Sequence, residues 1–215
     1  MDSQILKKCI KKAFEETKTD VKHKTVKNEE KSGRFKQRVS EYIYKELYSK
    51  DEYHLNVINT KFGEDNEPGE WLLDACITDV DPKTDSRPVK RIFFAMECES
   101  QTAYSEFNQD FAKLVHIKAD HKLYLQGLNQ KTTKGVCDHI GKKLENSCSW
   151  LKDTNSLTES SEEFYMAFWP SPEKKEGSSI WDQFDGTFKH LDRIRLFRFV
   201  YSEGNVTFKE INQNG

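Results

Sequence analysis

Two glutamates close an apolar run in the middle of the chain. Glu97 and Glu99 follow Phe93-Phe94-Ala95-Met96, and this run predicts a buried strand. Alternate residues of a strand point to the same face, so both carboxylates are expected on one side. A buried charge is costly unless it is paired with an opposite charge or coordinates a metal. These glutamates are therefore the first candidates for chemistry.

A third acid lies inside the apolar run Trp71-Leu72-Leu73-Asp74-Ala75-Cys76-Ile77. If the two strands pair in a suitable register, Asp74 shares a face with Glu97 and Glu99. Three like charges on one face either raise one another's pKa or hold a cation. Oxygen ligands suit Mg²⁺ or Mn²⁺, and such an ion would activate a water and neutralise charge on a phosphate. The pattern therefore predicts a hard-metal site.

The elements that must hold these acids follow from hydrophobic periodicity. It predicts helices over 3–17, 34–50, 103–118 and 133–151, and strands over 53–62, 70–79, 90–99, 121–128 and 164–169. A C-terminal hairpin is predicted over 193–202 and 205–212, whereas 180–191 is ambiguous and fits a short helix. The order predicts an α+β, or mixed α/β, fold around one mixed sheet that begins as an antiparallel meander. Residues 1–33 are set apart as a basic helical extension and linker, and 34–215 as a single domain.

Composition narrows the class of protein. Lys and Arg outnumber Asp and Glu by 12 to 6 in residues 1–40, a surplus of +6 within a chain of net charge −2. A basic segment of this kind suits a phosphate backbone, although taken alone this feature favours a merely solvated helix face. No apolar run is long enough to cross a bilayer, no secretory leader is recognisable, and the five cysteines form no CxxC pair. A cytoplasmic protein without a membrane partner is expected.

The acids and their setting resemble the PD-(D/E)xK nuclease-like superfamily, over about residues 34–128. An acid in one strand and an acid-x-(Lys or Glu) ending the next, within an αβββαβ order, carry the resemblance. It implies that Asp74 and Glu97 bind the metal with help from the Cys98 carbonyl, and that Glu99 orients or deprotonates the attacking water. The chain departs from the pattern in two places: Leu73 precedes Asp74 where the pattern has proline, and Glu99 stands where most members have lysine.

Two helical residues complete the expected site. Some members of the superfamily supply the lysine from a helix, and Lys118 falls on the same helical stripe as Phe107 and Leu114. Lys118 is therefore expected to stabilise charge. Glu46, on the helix before the sheet, is expected as an additional metal ligand.

The favoured function is a Mg²⁺-dependent nuclease that acts on DNA. A catalytically inactive module of the same fold, binding nucleic acid or protein, is the alternative, because position 99 lacks lysine and a fold does not determine function. A partner-binding protein is a third reading, in which the aromatic C-terminal hairpin contacts another protein or forms a homodimer. The sequence has no GxGxxG, GxxxxGK[ST] or GxSxG motif and no HExxH spacing, so nucleotide-cradle, serine-hydrolase and zinc-site readings lack support.

Overall fold

A computed structural model describes residues 1–22, 30–49, 53–57, 73–79, 89–100, 104–154, 162–171 and 193–212. Within these ranges the helices are α1 (Ser3–Lys22), α2 (Lys31–Ile43), α3 (Tyr104–His116) and α4 (Thr133–Asp153), and α2 continues into a π-helical turn (Tyr44–Tyr48). The strands are β1 (His54–Val57), β2 (Ala75–Thr78), β3 (Ile92–Glu99), β4 (His121–Leu128), β5 (Glu163–Pro170), β6 (Arg195–Ser202) and β7 (Asn205–Glu210).

The described strands form one mixed sheet in the order β1-β2-β3-β4-β5-β6-β7. The pairs β1–β2 and β2–β3 are antiparallel, which confirms the predicted meander. Strands β3, β4 and β5 are parallel, because α3 and α4 carry the chain back between them. The pairs β5–β6 and β6–β7 are antiparallel again. The predicted α+β class is confirmed, and the predicted 121–128 strand has the observed bounds.

Helices cover both faces of the sheet. α1 and α2 pack on one face with side chains such as Met96 and Leu125, whereas α3 and α4 pack on the other with Ala95 and Tyr124. Neighbouring strand residues therefore enter different cores, as the pleat requires. Because both faces are covered, the central strands are apolar on both sides, and a polar residue among them needs a particular explanation.

Helix α1 belongs to the core of the described fold. Its residues Leu6, Ile10 and Phe14 are buried in the same cluster as Phe35 of α2 and Trp169 of β5. The sequence set residues 1–33 apart because of their charge, and the apolar stripe of α1 nevertheless packs on the sheet. The domain boundary at residue 33 stays a prediction.

The C-terminal hairpin turns at Glu203 and Gly204. Both residues have positive φ values, of 51° and 79°, as a two-residue hairpin turn requires. The β6–β7 hairpin therefore confirms the predicted turn. The ambiguous segment 180–191 lies outside the described residues, as do residues 58–62 of the predicted first strand.

Candidate functional site

Asp74 lies in a bend immediately before β2. The predicted strand 70–79 placed it within the strand, and this is wrong, because β2 begins at Ala75. The side chain of Leu73 packs in the α3–α4 core while that of Ala75 packs in the α1–α2 core. Residues two apart in a regular strand would share a face, so the chain turns at Asp74. The bend places the carboxylate beside the end of β3.

Both carboxylate oxygens of Asp74 accept a hydrogen bond. Oδ2 accepts from the backbone N–H of Cys98 at 2.8 Å, where the β2–β3 ladder would otherwise continue. Oδ1 accepts from Nζ of Lys36, on α2, at 2.7 Å. Each carboxylate oxygen can accept two such bonds, so these contacts leave capacity on both atoms.

Glu97 is buried on the α3 side of β3, with 2% of its side chain exposed. Burial, reinforced by the negative charges of Asp74 and Asp110, raises the pKa of Glu97 to about 8, against the opposing pull of Lys113. Among the described residues, its Oε1 meets the Lys113 ammonium group in a long ion pair. Asp74 is thus close enough to Glu97 to help raise the pKa of Glu97.

Helix α3 places a charged pair over Glu97. Nζ of Lys113 lies 3.4 Å from Oε1 of Glu97 and 2.7 Å from Oδ1 of Asp110. Asp110 and Lys113 are three residues apart, so they share one face of the helix. The Phe107 and Phe111 rings of the same helix hold it against the sheet, with centroids 5.3 and 5.8 Å from that of Tyr124.

Tyr124 is the β4 residue in register with Glu97. Its side chain is fully buried, and within the described part of the chain its hydroxyl has no hydrogen-bond partner. Burial raises the pKa of Tyr124, as do the charges of Asp110, Glu99 and Glu97, so the hydroxyl stays protonated. Tyr124 therefore brings a hydrogen-bond donor near the two acids.

Glu99 and Cys98 lie at the end of β3. Glu99 is half-buried and in register with Gln126, whose amide donates to the Glu99 carbonyl oxygen at 3.4 Å. The Cys98 side chain turns toward the α1–α2 core, and burial holds the pKa of its thiol well above the usual range. The predicted ligand at this residue, its carbonyl oxygen, stays a prediction.

Lys118 and Glu46 lie away from the acids. Lys118 is exposed in the loop after α3 and lines a cavity with Arg91 and Ile92, at the start of β3. Glu97 is five residues beyond Ile92 along β3, which corresponds to about 16 Å between their backbones. The helical stripe that suggested Lys118 does not reach it, because α3 ends at His116.

The side chain of Glu46 is exposed in the π-helical turn. It lies ten residues beyond Lys36, which is about 15 Å along a helix axis. Its charge acts on Cys9 of α1, where it helps raise the pKa of the thiol. From α2, the residue that does reach the acids is Lys36.

The sequence reasoning missed Lys36, Asp110, Lys113 and Tyr124. A usable signal existed for the α3 pair, because an Asp-x-x-Lys spacing puts both side chains on one helix face. Tyr124 follows from strand register, which requires the pairing to be known. Lys36 sits beside the buried Phe35, and its sequence carries no sign that it points to the sheet.

The residues present fit a hard cation in part. In the described part of the chain, no three His, Cys, Asp or Glu side chains are grouped as a metal site. Mg²⁺ commonly takes one or two protein carboxylates and completes its shell with water and phosphate oxygens. Asp74 and Glu97 are the residues whose carboxylate oxygens would hold such an ion.

Comparisons of the chain with known protein families, curated proteins and solved structures found no match. Among the described helices, none combines the length and apolar character needed to cross a membrane.

Proposed function

We propose that this protein is a nuclease that depends on a divalent cation and hydrolyses phosphodiester bonds of DNA. The observation that carries the proposal is Glu97, whose pKa is raised by burial and by the neighbouring Asp74, and whose Oε1 meets the Lys113 ammonium group at the long distance of 3.4 Å. A carboxylate left in this state costs stability, and such groups cluster at functional sites. A cation bound between the two acids would remove the cost.

Each described residue then has a role set by its contacts. Asp74 and Glu97 would hold Mg²⁺ or Mn²⁺, which when bound supplies an activated water and neutralises phosphate charge. The N–H of Cys98 and the ammonium group of Lys36 orient Asp74. Lys113, within 3.4 Å of Glu97, is placed to offset negative charge on the substrate, the role that the sequence suggested for Lys118. Glu99 keeps its proposed role of orienting or deprotonating the water.

Cleavage of a supercoiled plasmid tests the proposal. We expect nicking with Mg²⁺ or Mn²⁺ and none with EDTA. Glu97→Gln and Asp74→Asn should each slow the reaction at least ~100-fold, the usual cost of losing one group that stabilises the transition state. Glu145→Gln, which changes an exposed acid on α4, is the matched control and should cleave like the wild type. Failure of the wild type to cleave with either metal, or variants as active as the control, would overturn the proposal.

One observation favours an inactive binding module instead. Lys36 and the Cys98 N–H already supply both oxygens of Asp74 with donors, and Lys113 partly offsets Glu97. In this alternative the lysines are the permanent counter-charges, and no metal is needed. Calorimetric titration with Mg²⁺ separates the two functions: binding that Glu97→Gln abolishes supports the nuclease, whereas no binding to the wild type supports the module.

A further inference from the structure

A basic groove lies between α1 and the β6–β7 hairpin, toward the edge of the sheet opposite to β1. It encloses about 590 Å³. Its charged lining consists of Lys7, Lys11, Glu15, Arg193, Arg195 and Glu210. Four cations face two carboxylates, so the groove carries a surplus of two positive charges.

The cations crowd one another in this groove. Burial lowers the pKa of Lys7, and although Glu210 opposes this, the charges of Arg193, Lys11 and Arg195 lower it further. The Lys7 ammonium group donates to the carbonyl oxygen of Ile211, which holds it in place. Like charges kept together in a concave surface attract an anion.

Glu210 neutralises one cation only. Its two oxygens accept from Nε and Nη2 of Arg195 at 2.8 and 2.7 Å, a bidentate pair. Glu15 lies exposed on α1 at the rim. Lys11 and Arg193 are exposed as well, so their charged ends are accessible to a ligand.

Two lysines of the basic N-terminal segment, Lys7 and Lys11, line this groove. The arginines of α2 are engaged elsewhere: Nη2 of Arg38 lies 2.6 Å from Oδ2 of Asp20, and Nη1 of Arg34 donates to Gln37 at 3.1 Å. Lys36 is bound to Asp74. The basic N-terminal segment thus contains residues that are paired within the fold, such as Arg38 and Lys36, as well as two lysines that line the groove.

We infer that the groove formed by Lys7, Lys11, Arg193 and Arg195 is a second contact for the phosphate backbone of a nucleic acid. Phosphodiesters carry one negative charge for each nucleotide, and guanidinium and ammonium groups are the side chains that most often bind them. The contact would set affinity and register on the strand and confer no base preference.

Strand register relates this groove to the end of β3. Arg195 is in register with Phe168, Phe168 with Gln126, and Gln126 with Glu99. Three strand spacings separate Arg195 from Glu99, about 14 Å between backbones. Lys7 and Lys11 belong to α1 on one face of the sheet, whereas Glu97 lies on the α3 face, so a nucleic acid that touches both sites has to pass around the end of the sheet. That both sites serve one substrate rests on the proposed nuclease function.

Fluorescence anisotropy of a labelled DNA duplex in EDTA tests the inference, with KCl as the variable. The double variant Lys11→Gln/Arg193→Gln removes two exposed charges from the groove and leaves the Lys7 contact intact. Its matched control, Lys8→Gln/Lys45→Gln, removes two exposed charges elsewhere. We expect the slope of log affinity against log salt to become shallower by about 1.8 in the groove variant, since each phosphate contact contributes ~0.9, and to stay near that of the wild type in the control.

A variant of opposite sign sharpens the test. Glu15→Gln removes a negative charge from the rim, so we expect DNA to bind more tightly, by roughly threefold, and with a steeper salt dependence. Equal losses in the two double variants, or no DNA binding by the wild type in EDTA, would overturn the inference. Because binding is measured without metal, a protein that binds through the groove but never cleaves would sink the nuclease proposal alone.

Discussion

The sheet carries two glutamates, Glu163 and Glu97, whose surroundings shift their pKa values in opposite directions. Glu163, at the start of β5, accepts at Oε1 from Arg198 and at Oε2 from the Tyr165 hydroxyl and the Met1 amino group. Burial opposes its ionisation, but the amino group and Arg198 outweigh burial and hold the pKa of Glu163 below its usual range. Its charge is fully compensated.

Glu97 lies on the other face, where its nearby cation among the described residues is Lys113, which is shared with Asp110. Burial and two neighbouring acids dominate, and its pKa is raised to about 8. The two glutamates lie on strands separated only by β4. A single fold can therefore compensate a carboxylate completely at one place and only partly at another.

The contrast teaches how to weigh a polar residue in an apolar strand. A compensated carboxylate such as Glu163 is explained by the ion pairs it makes. A partly compensated one such as Glu97 costs folding free energy, and function is a reason to carry that cost. The predictions below test whether this division is correct.

The largest expected difference is in DNA cleavage. We expect Glu97→Gln to slow Mg²⁺-dependent nicking at least ~100-fold, because it removes a proposed metal ligand. Glu163→Gln should change the rate less than ~3-fold under conditions where it is folded, as checked by circular dichroism. If both substitutions slowed cleavage equally, Glu97 would have no role in cleavage that Glu163 lacks.

Stability should show the reverse order. Glu163→Gln leaves the Arg198 and Met1 cations without their partner, and we expect the free energy of unfolding at neutral pH to fall by about 2 kcal/mol. This is less than the ~3–5 kcal/mol of a fully buried pair, because 43% of the Arg198 side chain is exposed. In urea titrations, Glu97→Gln should be as stable as the wild type or more so, since it replaces a partly compensated acid with a neutral side chain of the same shape.

The sequence predicted the strands and helices that hold the two glutamates better than the contacts around them. Apolar periodicity indicated the strands of the central sheet and the helices between them, because burial on both faces leaves a strong pattern. Glu97 was found for the same reason: a charge inside an apolar strand stands out. The bend at Asp74 was not foreseen, since it depends on how Leu73 and Ala75 divide between two cores.

The counter-charges were the hardest part to predict. Lys113 and Lys36 reach the acids from helices on opposite faces of the sheet. Which lysine reaches the acids depends on where each helix ends and on how it is rotated about its axis. The alternation of side chains along a strand gives no information on either. Lys118 was favoured on a helical stripe continued beyond His116, where the helix has already ended.

The pH dependence of stability should distinguish the two glutamates as well. The folded-state pKa of Glu97 is about 8, above the unfolded value near 4.5, so the folded protein keeps a proton that the unfolded chain has released. We therefore expect Glu97 to lower the free energy of unfolding as pH rises from about 4.5 to about 8, by up to ~1.4 kcal/mol per pH unit. Glu97→Gln should remove this slope in urea titrations across that range, whereas the exposed Glu145→Gln should keep it.

Glu163 should act with the opposite sign. Its pKa is lowered in the folded protein, so its stabilising contribution is present above the ordinary carboxyl pKa and is lost as pH falls through the lowered value. Comparing wild type with Glu163→Gln in acid should therefore show the difference in stability shrinking as pH falls. A difference that grew in acid would mean that Glu163 is not held ionised by its partners.

The smallest expected effect concerns Tyr124, the buried neighbour of Glu97. Its hydroxyl has no hydrogen-bond partner among the described residues, so removing it abolishes no contact while ending the desolvation cost of a polar atom. We expect Tyr124→Phe to leave the free energy of unfolding in EDTA unchanged or to raise it by up to ~1 kcal/mol. Tyr165→Phe is the matched control, because the Tyr165 hydroxyl donates to Glu163 at 3.0 Å, and its loss should lower stability by about 1 kcal/mol. If both substitutions destabilised the protein equally, the acid site would be as fully compensated as the Glu163 site, and its unsatisfied state would no longer argue for a ligand.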